Sequence, residues 1–352
     1  MKLLHLADLH LGSEMNARLT QEKAALRREE ICMAFDRAVE YAKRVGVSAI
    51  LLSGDVFDGA VPLERDKEFF YDVIRQSPEI LFFYLKGNHD GAEKTELLPN
   101  LQTFTEDSWT TYELGENITV SGIELTERNS ESYYDGLHLD AAKTNVVMLH
   151  GQIADGKGKE KIFLRALAGK GIDYLALGHV HSYQTGVIDA RGVYAYAGCL
   201  EPRGFDETGA KGFVELDVSR GVSYRFVENC VRAVEVVEVN VTGLSGQAEV
   251  LRKIEAELSV DAEDMPRIVL VGEADFPTDG IANFIQTRLK DRYFALSVKD
   301  ETVKALNLEK YMGQVSIEAE FIRVVQANET LSERDKKEVI SIGLKALSGG
   351  KL

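Results

Sequence analysis

Short apolar runs that stop at glycine punctuate the first half of the chain, and each stop is followed by residues able to bind a metal ion. Lys2–Ala7 runs into Asp8-Leu9-His10-Leu11-Gly12, and Val47–Leu52 into Ser53-Gly54-Asp55-Val56-Phe57-Asp58. Ile80–Leu85 gives way to Lys86-Gly87-Asn88-His89-Asp90, Asn145–Leu149 to His150-Gly151, and Ile172–Leu177 to Gly178-His179-Val180-His181. Apolar runs of this length, closed by glycine, read as buried strands. Polar groups just past such strands lie where open α/β sheets place their active sites. Asp8 and His10 share a side if the first strand extends that far, because strand side chains alternate.

Helical spacing fills the gaps between these strands. Ile31, Phe35, Ala38, Val39 and Ala42 predict a helix over Arg27–Val45 that stops at Gly46. Pro62 suits the first turn of a second helix, which carries Phe69, Phe70, Val73 and Ile74 and ends before Pro78. Residues Glu93–Lys143 are less regular, with a strand at Ile118–Glu124 and a tyrosine-bearing loop at Asn129–Asp140. Lys161–Ala168 reads as a short helix, and Val193–Ala197 and Lys211–Asp217 as further strands of antiparallel type. The class is α/β.

The pattern changes near Asn229. Ala233–Val241 alternates valine with polar residues as a half-exposed strand does. A helix over Gln247–Leu258, a strand over Arg267–Val271, a helix over Asp279–Leu289 capped by Thr278 and a strand over Tyr293–Val298 follow. Ile317, Phe321, Val324 and Val325 mark another helix, and Ser332 with Asp335 opens a last one that runs to Leu347. We therefore expect a catalytic domain over 1–229, a small α+β domain over 230–329 without chemistry of its own, and a helical tail over 330–352.

Composition narrows the function classes. No apolar run approaches the roughly 20 residues that span a bilayer. Met1–His5 enters a strand directly, with no signal-peptide pattern. Cys32, Cys199 and Cys230 are odd in number and lack C-x-x-C spacing, which fits a reducing compartment, so a cytoplasmic protein with no membrane association is expected. The formal net charge of −16 argues against strong unaided binding to nucleic acid, which calls for a basic patch or a partner.

Collected in order, the residues at strand ends are Asp8, His10, Asp55, Asn88, His89, His150, His179 and His181. Five of the 7 histidines fall in this set, whereas His5 and His138 read as structural. Histidine, aspartate and asparagine without thiolate suit two divalent ions such as Mn, Fe or Zn. Asp55, on a central strand, is the natural bridge between a site of Asp8, His10 and His181 and a second of Asn88, His150 and His179. A water shared by the two ions would be the nucleophile. His89 is spare, hence a proton donor to the leaving oxygen, with Asp58 or Asp90 orienting its ring. The chemistry predicted is hydrolysis of a phosphate ester.

Asp8-Leu9-His10, Gly54-Asp55-Val56-Phe57-Asp58, Gly87-Asn88-His89-Asp90, His150 and Gly178-His179-Val180-His181 resemble, in order, the motifs of calcineurin-like metallophosphoesterases. That resemblance implies a four-layer α/β/β/α sandwich of two mixed sheets followed by the smaller C-terminal α+β domain. It assigns the ligand and donor roles above to the same positions, and it places Asp58 against His89. The opening LLHLADLHLG, the GDVFD block and the segment Ala197–Gly212 are most similar to SbcD-type DNA repair exonucleases. This implies Mn-dependent exonuclease or endonuclease cleavage of DNA and a coiled-coil ATPase partner of SbcC type, and it raises a homodimer as an assembly to test. The C-terminal domain would cap the site or position DNA, and the last helix would dock on the ATPase.

Two other readings stand beside it. A phosphatase or a small-molecule (cyclic nucleotide) phosphodiesterase would use the same core. Gly59, where protein phosphatases of this superfamily typically carry arginine, disfavours a protein substrate. A metal-free scaffold would have lost ligands, and every ligand position is filled.

Overall fold

The structure, a computed structural model, describes residues 1–15, 19–59, 61–91, 95–305, 311 and 314–347. Residues 93–94 of the irregular stretch and 348–352 of the expected tail lie outside the described residues.

Two compact units divide the chain, Met1–Glu235 and Val236–Leu352. The first extends past residue 229 because Arg232, which is buried, donates to Glu30 of the long first helix at 2.7 Å.

The first unit holds two six-stranded mixed sheets. Its elements are β1 (Lys2–Leu6), α1 (Gln21–Val45), β2 (Ala49–Ser53), α2 (Glu64–Arg75), β3 (Leu81–Leu85), β4 (Leu101–Thr103), β5 (Thr110–Glu113), β6 (Ile118–Gly122) and β7 (Thr144–His150). Then come β8 (Gln152–Ile153), β9 (Lys161–Ile162), α3 (Leu164–Leu167), β10 (Tyr174–Gly178), β11 (Gln184–Val187), β12 (Val193–Tyr196), β13 (Gly212–Asp217) and β14 (Ser223–Glu228). One sheet runs β14-β13-β1-β2-β3-β4 and the other β11-β12-β10-β7-β6-β5.

Strand alternation explains the layers. Leu4, Leu6, Ile50, Leu52, Phe82 and Tyr84 face α1 and α2 in one core. Leu3, Ala49, Leu51, Phe83 and Leu85 meet Val120, Val146, Met148, Tyr174 and Ala176 between the sheets. The outer face of the second sheet (Val147, Leu149, Leu175, Leu177) is covered by Tyr133, Tyr134, Leu137 and Leu167. The result is the expected α/β/β/α sandwich, with a thin fourth layer.

Within the sheets β1, β2 and β3 pair in parallel, as do β7 and β10, so their C-terminal ends share one rim. Every strand end marked by glycine in the sequence is at that rim.

Several expectations need correction. The helix expected over Lys161–Ala168 is a two-residue strand, β9, paired in parallel with β8, followed by one helical turn. β12 pairs in parallel with β10 and only its other neighbour, β11, is antiparallel. Helix α1 starts six residues early, because Thr20 caps it by accepting from the Lys23 amide. The helix over Ile281–Leu289 is preceded by left-handed Gly280, not capped by Thr278.

The second unit contains the parallel sheet Val236–Asn240, Arg267–Val271 and Ser297–Asp300. Helices Gln247–Glu257 and Ile281–Leu289 cover it through Val250, Ile254, Ile281 and Ile285. The last strand lies four residues beyond its expected start, since Phe294 and Leu296 are used in packing ahead of it. Helices Ile317–Gln326 and Glu333–Leu347 pack on each other through Ile322, Val325 and Ile340, and Ser332 accepts from the Asp335 amide at 3.2 Å.

Candidate metal centre

Asp8 and His10 are not a continuation of β1. Both adopt left-handed backbone, at φ 52° and 48°, as do Asp55 at 51° and His179 at 97°. Such conformations cost energy in residues with a Cβ and persist where surrounding contacts impose them. Here two loops impose them on each other: Asp8 N donates to Gly54 O at 3.0 Å, His10 N to Asp55 O at 3.0 Å and Leu11 N to Val56 O at 2.8 Å. The side chains thus turn inward at the rim instead of alternating.

The glycines ahead of the donors have a steric role. A Cβ on Gly87 would overlap the Asp55 side chain and amide, and one on Gly54 would overlap the His150 ring. Asp55, Asn88 and His150 come together only because these two positions carry no side chain.

Donor atoms gather on both sides of Asp55. On one side, Asp8, His10, Asp55 and His181 each offer a ligand atom within 4.8 Å of the others, and the Nε2 atoms of His10 and His181 are 3.2 Å apart. On the other, Asp55 Oδ2 is 3.3 Å from His150 Nε2, and Asn88 Oδ1 is 3.0 Å from His150 Nε2 and 3.2 Å from His179 Nδ1. The same Asp55 oxygen is 3.8 Å from His10 Nε2. Metal–nitrogen and metal–oxygen bonds of about 2.0–2.2 Å leave neighbouring ligand atoms roughly 3 Å apart, so these spacings and this donor chemistry fit two cations. Asp8 adds its carboxylate to the His179 amide at 2.9 Å.

Electrostatics agrees with a site built for positive charge. Burial alone would raise the Asp55 pKa, but its contacts with His150 and the His89 amide outweigh that and hold the carboxyl well below its usual range. Burial would lower His150; Asp55 and Asp8 reverse this and push it up to about 9.

His89 projects outward, its side chain 47% exposed, with Nδ1 3.3 Å from Asp58 Oδ1. That oxygen also lies 3.2 Å from His10 Nδ1. Of the two carboxylates left open for orienting His89, Asp58 is therefore the one beside the ring. Asp90 is used otherwise: it accepts from the Phe57 amide at 2.8 Å, the Gly87 amide at 2.9 Å and the Val56 amide at 3.3 Å. Through these three amides it pins two of the site loops together.

His5 is buried in the core with Nδ1 3.0 Å from the Tyr174 hydroxyl, and His138 is exposed. Sequence reasoning missed Arg203, Glu207 and Lys211. Glu207 Oε1 lies 2.7 Å from His181 Nδ1, Arg203 contacts both Glu207 and Asp58, and Lys211 donates to the His181 carbonyl. The one signal was charged residues in the turn-rich segment Ala197–Gly212.

Residues 1–183 match the family described as calcineurin-like phosphoesterase. The chain is 27% identical to the uncharacterized metallophosphoesterase YhaO of Bacillus subtilis over 88% of its own length and 83% of that protein. It is 24% identical to the DNA double-strand break repair protein Mre11 of Sulfolobus acidocaldarius over 99% of both chains. A dimetal phosphatase from Danio rerio aligns at TM-score 0.43 and 10% identity, over 65% of this chain and 99% of that one.

Proposed function

The chain belongs to the calcineurin-like phosphoesterase family, whose members use a dinuclear metal site, and from that premise we propose that it is a divalent-metal-dependent DNA repair nuclease. The observation that carries the reading is the position of Asp55, with Oδ2 between the Nε2 atoms of His150 at 3.3 Å and His10 at 3.8 Å. On this reading Asp8, His10, Asp55 and His181 hold one ion, and Asp55, Asn88, His150 and His179 the other. When bound, such ions acidify water toward neutrality and offset charge on phosphoryl oxygens.

The remaining work falls to the protein. His89 carries the proton for the leaving oxygen on its outward-facing ring, and Asp58 holds the ring through Nδ1 at 3.3 Å. Because Asp58 also faces His10, one carboxylate aligns the proton donor with a metal-binding imidazole.

DNA as substrate is supported by the likeness to the DNA double-strand break repair protein Mre11, which aligns over 99% of the chain. The SbcD-type motifs of the sequence support manganese as the metal, a coiled-coil ATPase of SbcC type as partner and a DNA-positioning role for the second unit; the odd, unspaced cysteines support a cytoplasmic location, and a homodimer is the assembly to test. Among the described residues, no helix is long and apolar enough to cross a membrane. The net charge of −16 favours the alternative, a small phosphodiester as substrate, which needs no basic surface.

The test is an assay of the full chain with Mn²⁺, alone and with its ATPase partner, on labelled single- and double-stranded DNA beside bis(nitrophenyl) phosphate. Metal-dependent DNA cleavage that declines with salt is expected. Cleavage of the small diester alone would move the assignment to the alternative, and cleavage of neither would overturn the enzyme reading.

A further inference from the structure

The segment between β12 and β13 grips His181 by both ends. At the backbone, Lys211 Nζ donates to the His181 carbonyl at 2.7 Å and Cys199 Sγ to the same oxygen at 3.5 Å. At the ring, Glu207 Oε1 stands 2.7 Å from Nδ1 and Arg203 Nη2 3.1 Å from it. Glu207 is itself held: Oε1 accepts from Arg203 Nε at 3.1 Å and Nη2 at 3.0 Å, and Oε2 accepts from the Arg203 amide at 2.6 Å.

The segment cannot drift away from the rim, because Glu201 is anchored two residues before Arg203. Its buried carboxylate accepts from Arg27 at 3.1 Å and Arg37 at 2.9 Å, both on α1, and from the Val231 amide at 2.7 Å.

A carboxylate only accepts hydrogen bonds, and a neutral imidazole has one N–H. Of the two groups at Nδ1 the Glu207 carboxylate is the nearer, at 2.7 Å against 3.1 Å, and Arg203 Nη2 has Glu207 Oε1 as its own acceptor at 3.0 Å, so Glu207 selects the tautomer of His181 with its proton on Nδ1. The lone pair then lies on Nε2, the atom 3.2 Å from His10 Nε2 within the cluster of Asp8, His10 and Asp55. We propose that Glu207, set in place by Arg203, is the positioning residue that fixes His181 as an Nε2 donor to one of the two ions. Partners of this kind orient ligand imidazoles and raise their basicity. The arrangement also links the two halves of the site, since Arg203 Nη1 reaches Asp58 Oδ1 at 3.4 Å, the oxygen that faces His89.

The inference rests on the metal-centre reading, so its test has one arm that does not depend on metal. In the metal-free full chain, ¹⁵N NMR of the His181 imidazole at alkaline pH, assigned with His181→Gln, should show the proton on Nδ1. In Glu207→Gln that preference should weaken, and calorimetric titration with Mn²⁺ should show one ion bound roughly 10–100-fold more weakly while the other keeps its affinity. Glu207→Asp should recover part of the loss. A wild-type His181 protonated on Nε2, or a folded Glu207→Gln that binds both ions as wild type does, would overturn the proposal. If Glu207→Gln does not fold, the wild-type tautomer alone decides. A wild-type protein that binds no Mn²⁺ would instead defeat the metal-centre reading, with the tautomer still deciding the role of Glu207.

Discussion

Asp58 Oδ1 and His89 Nδ1 stand 3.3 Å apart, on residues separated by a helix and a strand in the sequence. On the proposed reading this contact orients the His89 ring and leaves Nε2 for the leaving oxygen. His89→Ala should lower turnover roughly 10²–10⁴-fold, and Asp58→Asn should lower it less. Metal content of His89→Ala, read by elemental analysis, should stay at the wild-type value; loss of both ions would place His89 among the ligands.

Asp55 should behave unlike every other ligand. Asp55→Ala takes the oxygen shared by His10 and His150 away from both donor sets. Calorimetry should show both ions weakened together, whereas His179→Ala should weaken one. An Asp55→Ala protein with a normal pair of ions would end its role as a bridge.

Burial separates two arginines that look alike in sequence. Arg27 is 1% exposed and links Glu30 to Glu201, whereas Arg225 is 64% exposed beside Glu215. Removing one member of a buried ionic group strands its partners, so Arg27→Met should cost about 3 kcal/mol or more in urea denaturation. Arg225→Met should cost at most about 1 kcal/mol. Equal costs would mean that the buried group adds nothing beyond a surface pair.

His5 should make folding sensitive to acid. Burial pushes its pKa down to about 3, against a weaker opposing effect from the Leu177 backbone. The unfolded chain binds this proton below about pH 6.5 and the folded chain does not. Stability from His5 is therefore complete above that pH and falls between about 6.5 and 3, by at most about 1.4 kcal/mol per pH unit. In metal-free protein, His5→Gln should flatten the pH slope of the denaturation midpoint by up to one proton; an unchanged slope would show that His5 is protonated in the fold.

The strand ends and their order were legible because a buried parallel strand must be a short apolar run, and the chain must turn where it leaves the sheet. Asp8, His10, Asp55, Asn88, His89, His150, His179 and His181 follow from that punctuation alone. The C-terminal helices were legible for a similar reason, since amphipathic spacing is local.

Other features depended on residues far apart in the chain. Strand periodicity put Asp8 and His10 on one face of an extended β1, but hydrogen bonds with the 54–56 loop turn both into left-handed backbone. Asp58 and Asp90 were equivalent by type and distance from His89; the amides of Val56, Phe57 and Gly87 claim Asp90 and leave Asp58 for the ring. Glu207 approaches His181 from a distant segment that Arg27 and Arg37 hold against α1 through Glu201. The sequence by itself determined which donors exist and at which strand ends they stand, because burial and turning are properties of neighbouring residues. Tertiary structure decided which donor faces which, because a polar side chain takes the partner that folding brings within about 3 Å, and no local pattern records that choice.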